Sequence, residues 1–120
     1  MTVRAEYKDG KWNGRTLREW VSEAVDEIVR HFNPVRVILF GSVARGEEGP
    51  DSDIDLLVVF DELPERTKLE AEVAVRRAIT VPAAVEVLVT DLDELAERGD
   101  LPGILRVAQR EGRVVHERAA

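Results

Sequence analysis

The stretch GSVARGEEGPDSDIDLLVVF, Gly41 to Phe60, joins a Gly-Ser turn to an apolar strand that begins with two aspartates. Side chains alternate between the two faces of a strand, so Asp53 and Asp55 project from the same face, about 6.7 Å apart. The apolar residues that alternate with them project from the other face into the core. Carboxylates this close raise each other's proton affinity, and a hard dication such as Mg²⁺ between them relieves the repulsion. The stretch therefore predicts a metal site at the start of a buried strand, in preference to a solvated junction.

A third carboxylate lies in the apolar run AVEVLVT, residues 84–90, where Glu86 is the one charged residue. If this strand pairs beside residues 53–60, Glu86 reaches the same site as Asp53 and Asp55. Three carboxylates on neighbouring strands hold one or two Mg²⁺ ions for in-line attack on a phosphate. The alternative is that Glu86 lies on the solvent face of an edge strand, and the sequence leaves both interpretations open.

The Gly41-Ser42 turn is the predicted phosphate-binding element. The strand VRVILF, residues 35–40, runs into this turn and then into a short helical segment, which leaves free backbone N–H groups at a helix N-terminus. Gly41 removes the side chain that would block a phosphate, Ser42 adds a hydroxyl, and Arg45 lies one turn further on. Arg45 has an alternative assignment, a surface ion pair with Glu47 or Glu48. We predict that the turn binds a triphosphate and that the aspartates bind its metal.

The rest of the chain alternates helices with strands, which predicts one α/β or α+β domain with helices layered on a small sheet. A polar arm is expected over residues 1–14, either an edge strand or loosely held, followed by a domain over residues 15–120. Asp91 with Glu94 forms a plausible capping pair, so we assign Asp91 to a helix cap rather than to the metal. The other predicted elements are helices over residues 16–32 and 65–80, a helix from Pro102 to Gly112, and a strand at 113–117.

Composition excludes several functional classes. The 120 residues carry a net charge of −7, which argues against long nucleic acid as a substrate, since grip on phosphate backbones comes from Lys and Arg. The chain has no cysteine and two histidines, so neither a disulfide framework nor a thiolate or His-rich metal centre is expected. It shows neither a signal peptide nor an apolar run long enough to span a bilayer. We expect a cytoplasmic protein.

The motif Gly-Ser-x10-Asp-x-Asp, formed by Gly41, Ser42, Asp53 and Asp55, closely resembles the signature of the minimal nucleotidyltransferases of the polymerase-β superfamily. The resemblance covers about residues 17 to 117 and implies a small mixed sheet flanked by helices. It also implies that the aspartates bind Mg²⁺ and that the Gly-Ser turn binds the phosphates of ATP. The third acidic position is usually Asp in this family. Here it is Glu86, one methylene longer, which leaves turnover less certain than metal binding.

The resemblance also implies a partner. Relatives that modify tRNA, RNA ends or antibiotics carry a second domain that holds the acceptor, and little follows the core here. The acceptor is therefore expected on a partner chain or on a second copy of this chain. Minimal members are commonly encoded beside a helical HEPN protein, an RNase toxin, and act as its antitoxin by attaching AMP to a toxin tyrosine. The alternatives are an antitoxin that neutralises its partner by binding alone and a transferase for small molecules.

Overall fold

The structure, a computed structural model, describes residues 6–119. The first five residues of the predicted arm and Ala120 of the predicted domain lie outside this range. The strands are β1 (Tyr7–Lys8), β2 (Lys11–Trp12), β3 (Arg36–Phe40), β4 (Ile54–Phe60), β5 (Val85–Asp91) and β6 (Arg113–Glu117). The helices are α1 (Leu17–Phe32), α2 (Gly41–Arg45), α3 (Lys68–Ala78), α4 (Leu92–Arg98) and α5 (Ile104–Glu111).

Four strands form the main sheet in the order β5-β4-β3-β6. β4 and β5 are parallel, whereas β3 is antiparallel to both of its neighbours. The sheet is therefore mixed and carries helices on it, which confirms the predicted fold class. The parallel pair matters most for the site, because it places the start of β5 directly beside the start of β4.

Both faces of the sheet are covered, by different helices. On one face, the apolar stripe of α1 and the buried side of α3 pack with alternate residues of β4, including Ile54 and Leu56, in the larger core cluster. On the other face, Leu57 and Val59 pack with Ala108 of α5 in a smaller cluster. Asp55 shares this second face, because it alternates with Leu56. The second layer covers the later part of β4, and the carboxylates lie at its beginning.

Local signals in the sequence define the ends of α1. The Thr16 hydroxyl accepts a hydrogen bond from the Glu19 N–H, and the Glu19 carboxylate accepts one from the Thr16 N–H. This reciprocal capping box satisfies two N–H groups that otherwise lack intrahelical partners. At the other end Asn33 adopts a left-handed conformation with φ 45°, and Pro34 follows. The helix begins and ends where the sequence predicts.

The helix predicted over residues 65–80 is shorter in the structure. It spans Lys68–Ala78 because Thr67 is extended and its side chain accepts from the Glu70 N–H as an N-cap. The helix therefore begins three residues later than predicted, and it ends two residues earlier because Ile79 is already extended.

The described part of the N-terminal arm forms a hairpin of its own, β1 paired with β2. The prediction of an edge strand is therefore wrong for these residues, because they pair with each other and not with the main sheet. Trp12 joins this hairpin to the domain: its carbonyl accepts a hydrogen bond of 2.7 Å from the Trp20 indole, and its side chain packs against the larger core cluster. Among residues 6–119, no helix combines the length and apolar character that crossing a bilayer requires.

Candidate active site

The register of the sheet brings the three predicted carboxylates together. Asp55 lies opposite Glu86 across the parallel pair β4–β5 and opposite Phe40 across the antiparallel pair β3–β4. Asp53 directly precedes β4. Each of the three acidic side chains offers an oxygen within 4.8 Å of the other two. Glu86 is exposed and the two aspartates are half-buried, so the cluster is open to solvent on the side of β5.

The electrostatics of the cluster favour a bound cation. Burial, followed by the charges of Glu86 and Asp53 and a hydrogen bond with Glu86, raises the pKa of Asp55 to about 6. Such a shift means that the ionised carboxylate is disfavoured in this crowded acidic surrounding. A divalent cation removes that repulsion, and three carboxylate groups are a suitable donor set for Mg²⁺. The residues present therefore fit the metal implied by the sequence motif.

Position 41 requires glycine because the backbone there lies directly against the Asp55 side chain. The φ of Gly41 is +75°, a left-handed conformation that residues with a side chain rarely adopt, and a Cβ at this position would overlap Oδ2 of Asp55. The sequence predicts that this glycine leaves room for a phosphate. In the structure, the close neighbour is the carboxylate of Asp55 in the candidate metal site, so a side chain at position 41 displaces Asp55 whether or not a nucleotide is bound.

Ser42 and Arg45 lie on α2, the short helix that begins at Gly41. Ser42 is half-buried, and its hydroxyl has no hydrogen-bond partner in the described part of the chain. Arg45 makes an ion pair of 2.8 Å with Glu47, and both side chains are largely exposed. This is the surface pair that the sequence offered as the alternative assignment. Arg45 is nevertheless close enough for its charge to counteract the rise in the pKa of Asp55.

Asp91 lies at the far end of β5 and serves as the N-cap of α4. Its carboxylate accepts a 2.8 Å hydrogen bond from the Glu94 N–H. The predicted assignment of Asp91 to a cap, and not to the metal site, is confirmed by this bond.

Sequence reasoning missed a groove of about 340 Å³ beside the acidic cluster, between α3 and the outer edge of β5. Exposed arginines on α3 were the available signal, but their position relative to β5 depends on the helix packing. The groove is lined by Glu72, Val73, Arg76, Arg77, Val85, Glu86 and Val87. Because Glu86 belongs to both the cluster and the groove, the two are continuous.

Comparison with known proteins agrees with this geometry. The profile of a family described as nucleotidyltransferase domain matches residues 19–114, so the chain belongs to that family. Among solved structures, it is similar to the crystal structure of a proposed nucleotidyltransferase from Sulfolobus solfataricus, with a TM-score of 0.61 and 28% sequence identity. That match covers 85% of this chain and 81% of the other. The search of curated proteins gave no match.

Proposed function

We propose that this nucleotidyltransferase transfers AMP from ATP to a hydroxyl group of a partner protein, with Mg²⁺ held by Asp53, Asp55 and Glu86. The observation that carries the proposal is the convergence of these three carboxylates within 4.8 Å, beside the turn that begins at Gly41. When bound, Mg²⁺ neutralises charge on the phosphates and orients them.

In the proposed reaction, the acceptor oxygen forms a bond to the α-phosphorus of ATP. The bond from that phosphorus to the oxygen bridging to the β-phosphate breaks, and pyrophosphate leaves. Glu86 is the most exposed of the three carboxylates. It either accepts the proton of the acceptor hydroxyl or serves as the metal ligand nearest to the acceptor. Backbone N–H groups and the Ser42 hydroxyl bind the leaving phosphates on the opposite side.

Arg45 is included among the phosphate-binding residues of this proposal. Its partner Glu47 lies on the surface with 61% of its side chain exposed, and surface pairs of this kind contribute only about 0–1 kcal/mol. Exchanging Glu47 for a triphosphate therefore costs little.

The proposed acceptor is a tyrosine of a helical HEPN-type partner, with this chain acting as its antitoxin. The support is the family resemblance of the motif together with the open position of the cluster, which no second lobe within residues 6–119 covers. An acceptor hydroxyl must be held in line with the α-phosphate, and such positioning accounts for several kcal/mol of the barrier. A second molecule is then needed to supply that positioning.

The test is transfer of label from α-labelled ATP to the co-expressed partner, with intact-mass measurement of both chains. We expect the partner to gain mass in AMP units, and Asp53→Asn to abolish the gain. Asp51→Asn is the matched control, because Asp51 is an exposed acid two residues away that does not belong to the cluster, and it should retain transfer.

A second candidate is an antitoxin that neutralises its partner by binding alone. The observation in its favour is Glu86 itself, whose longer side chain stands where the family usually has Asp. A tight complex without any mass gain supports this second function over transfer. Labelling of a small hydroxyl compound without labelling of any protein points instead to a small-molecule transferase.

A further inference from the structure

The outer edge of β5 can pair with another strand over Val85 and Val87. Among the described residues, β5 pairs only with β4. The Ile54 N–H donates to the Ala84 carbonyl, and in a parallel ladder the backbone groups that bond one neighbour come from alternate residues. The N–H and C=O groups of Val85 and Val87 therefore point away from β4. The Val89 N–H follows the same pattern and donates to the Glu72 carboxylate at 3.3 Å.

These free backbone groups open onto the groove between β5 and α3. One wall is β5 with Val85, Glu86 and Val87. The other is α3, where Glu72 is engaged by the Val89 N–H and lies on the same wall as Val73, Arg76 and Arg77. Arg76 donates to the Ile79 carbonyl. Arg77 is exposed and makes no ion pair or hydrogen bond with the described residues, so it is available to an anionic group in the groove.

The order of parts across the sheet assigns this groove to the acceptor side. Phe40, Asp55 and Glu86 lie opposite one another on β3, β4 and β5, with Gly41 directly after Phe40. A line across the sheet therefore passes from the phosphate turn over the carboxylates to the free edge of β5. In-line transfer requires the attacking and leaving oxygens on opposite sides of the phosphorus. If pyrophosphate leaves toward Gly41, the hydroxyl arrives from the β5 side.

We propose that the acceptor protein binds as an extended segment added to the free edge of β5, with an acidic side chain in the groove beside Arg77. This inference rests on the proposed function, because it specifies how the acceptor of that reaction is held. Strand addition draws affinity from main-chain hydrogen bonds and specificity from pockets for alternate side chains. The segment needs no particular direction along β5.

The geometry sets the spacing between the hydroxyl and the acid. Val85 and Val87 face α3, so Glu86 faces the opposite side with Asp55. An added strand alternates in the same way. A hydroxyl directed toward Glu86 is then an odd number of positions from the acidic side chain directed toward Arg77. Tyrosine with glutamate as its immediate neighbour fits, and tyrosine with glutamate two positions away does not.

A single acidic residue in the added segment is compatible with the negative charge of this chain. The net charge of −7 acts at long range and favours a partner with a basic surface. The arginines of α3 act at contact distance, where a single carboxylate entering the groove meets Arg77. A basic partner that carries one acidic residue beside its acceptor tyrosine satisfies both requirements.

The test measures binding of a short fluorescein-labelled peptide to the full chain by fluorescence anisotropy at physiological ionic strength. The peptide alternates Thr and Val around a central Tyr, with Glu as its immediate neighbour. We expect it to bind at least about tenfold more tightly than the isomer with Glu two positions away, since a charged hydrogen bond is lost in the isomer. Equal binding of the two isomers, or no binding of either, overturns the inference.

Two pairs of variants test the groove. Arg77→Glu should weaken binding of the first peptide about tenfold or more, whereas Arg30→Glu, the same charge change on an exposed arginine of α1, should not.

Val85→Pro removes an outward N–H at the first residue of an edge strand, where proline is tolerated. Val85→Ala loses the side chain but keeps that N–H. Weaker binding of Val85→Pro than of Val85→Ala supports strand addition, and equal binding contradicts it.

These measurements do not depend on catalysis, so the two proposals fail separately. Absence of AMP transfer to any protein overturns the proposed function, even if the peptide binds. Transfer to a partner that is unchanged in Arg77→Glu, together with equal binding of the two peptides, overturns the strand-addition proposal alone.

Discussion

The carboxyl group of Asp55 titrates in the range where we expect the metal affinity of the protein to change. Its pKa is raised to about 6 by burial and by Glu86 and Asp53, and a carboxylate must lose its proton to bind a metal. Mg²⁺ affinity should therefore fall about tenfold for each pH unit below the Asp55 pKa. Calorimetric titration at pH values on either side of it tests this, and an affinity that does not change with pH contradicts the assignment.

The same shift predicts that Asp55→Asn stabilises the metal-free protein. Because the folded-state pKa of about 6 lies above the reference value of 3.8, the folded state holds an extra proton between these values. Asp55 then contributes most to stability below pH 3.8, and the contribution is lost as pH rises through 6. Above that window the ionised group destabilises the fold, and asparagine removes the repulsion.

Solvent screening of the partly exposed Asp55 reduces the effect, so we expect Asp55→Asn to raise Tm by about 1–3 °C near neutral pH. Mg²⁺ should raise the Tm of the wild type, because it binds only the folded state. It should not raise the Tm of the double variant Asp53→Asn/Asp55→Asn. Thermal unfolding with and without Mg²⁺ measures both effects. If Mg²⁺ raises the Tm of the wild type and of the double variant equally, Asp53 and Asp55 are not metal ligands.

Gly41→Ala should disrupt the candidate metal site. The added Cβ overlaps Oδ2 of Asp55, and φ at Gly41 is +75°, a conformation that costs roughly 1–2 kcal/mol for a residue with a side chain. We expect a loss of about that much unfolding free energy, together with a loss of Mg²⁺ affinity. Gly49→Ala is the matched control, because a Cβ there meets nothing within 4 Å. Denaturant unfolding and calorimetry separate the two variants, and unchanged Mg²⁺ affinity in Gly41→Ala would show that Asp55 moves without consequence.

At this scale the sequence predicts which residues form the cluster but not all of their contacts. The spacing of Asp53 and Asp55 and the lone charge of Glu86 are visible in the sequence. The overlap between Gly41 and Asp55 is not, because it depends on the antiparallel register that places Phe40 opposite Asp55. The ion pair between Arg45 and Glu47 was one of two assignments, and rotamers at an exposed site do not follow from spacing.

At the scale of elements, the strands of the main sheet are predicted to within one residue at each end, because apolar runs bounded by Gly, Pro and Asp give clear limits. The order of the strands is not predictable in the same way. β6 pairs with β3 although the two are far apart in the chain, and a register shift lies between Val37 and Ile38. These pairings are decided by how helices cover both faces of the sheet.

Asp91 provides a prediction that separates a helix cap from a metal ligand. Its side chain accepts the Glu94 N–H at the start of α4, and loss of such a cap costs about 0.5–2 kcal/mol. Asp91→Ala should lower the unfolding free energy by this amount, whereas Asp91→Asn should restore most of it. Both variants should bind Mg²⁺ like the wild type. Reduced Mg²⁺ affinity in Asp91→Ala, measured where the protein is fully folded, would place Asp91 in the metal site.

At the scale of the whole molecule, the two helical layers determine where chemistry is possible. α1 and α3 cover one face of the sheet, while α5 contributes to the layer on the other face over the later part of β4. Within residues 6–119 neither layer closes over the beginnings of β4 and β5, so the carboxylates are accessible from solvent. The sequence indicates the amphipathic helices, but which face each one covers follows only from the assembled fold.

The net charge of −7 predicts how the proposed partner associates. A negative field attracts a basic partner over distances comparable with the Debye length, and this attraction raises the association rate more than it slows dissociation. Raising the ionic strength shortens the Debye length from about 10 Å at 0.1 M to about 3 Å at 1 M. We therefore expect the association rate to fall at least about tenfold between low and high salt, with a smaller change in the dissociation rate.

Stopped-flow association of the wild type with the partner measures this directly, and Asp53→Asn serves as a control that changes the site but little of the overall charge. An association rate that is the same at both salt concentrations would show that charge does not guide the encounter, and the expectation of a basic partner surface would then be wrong.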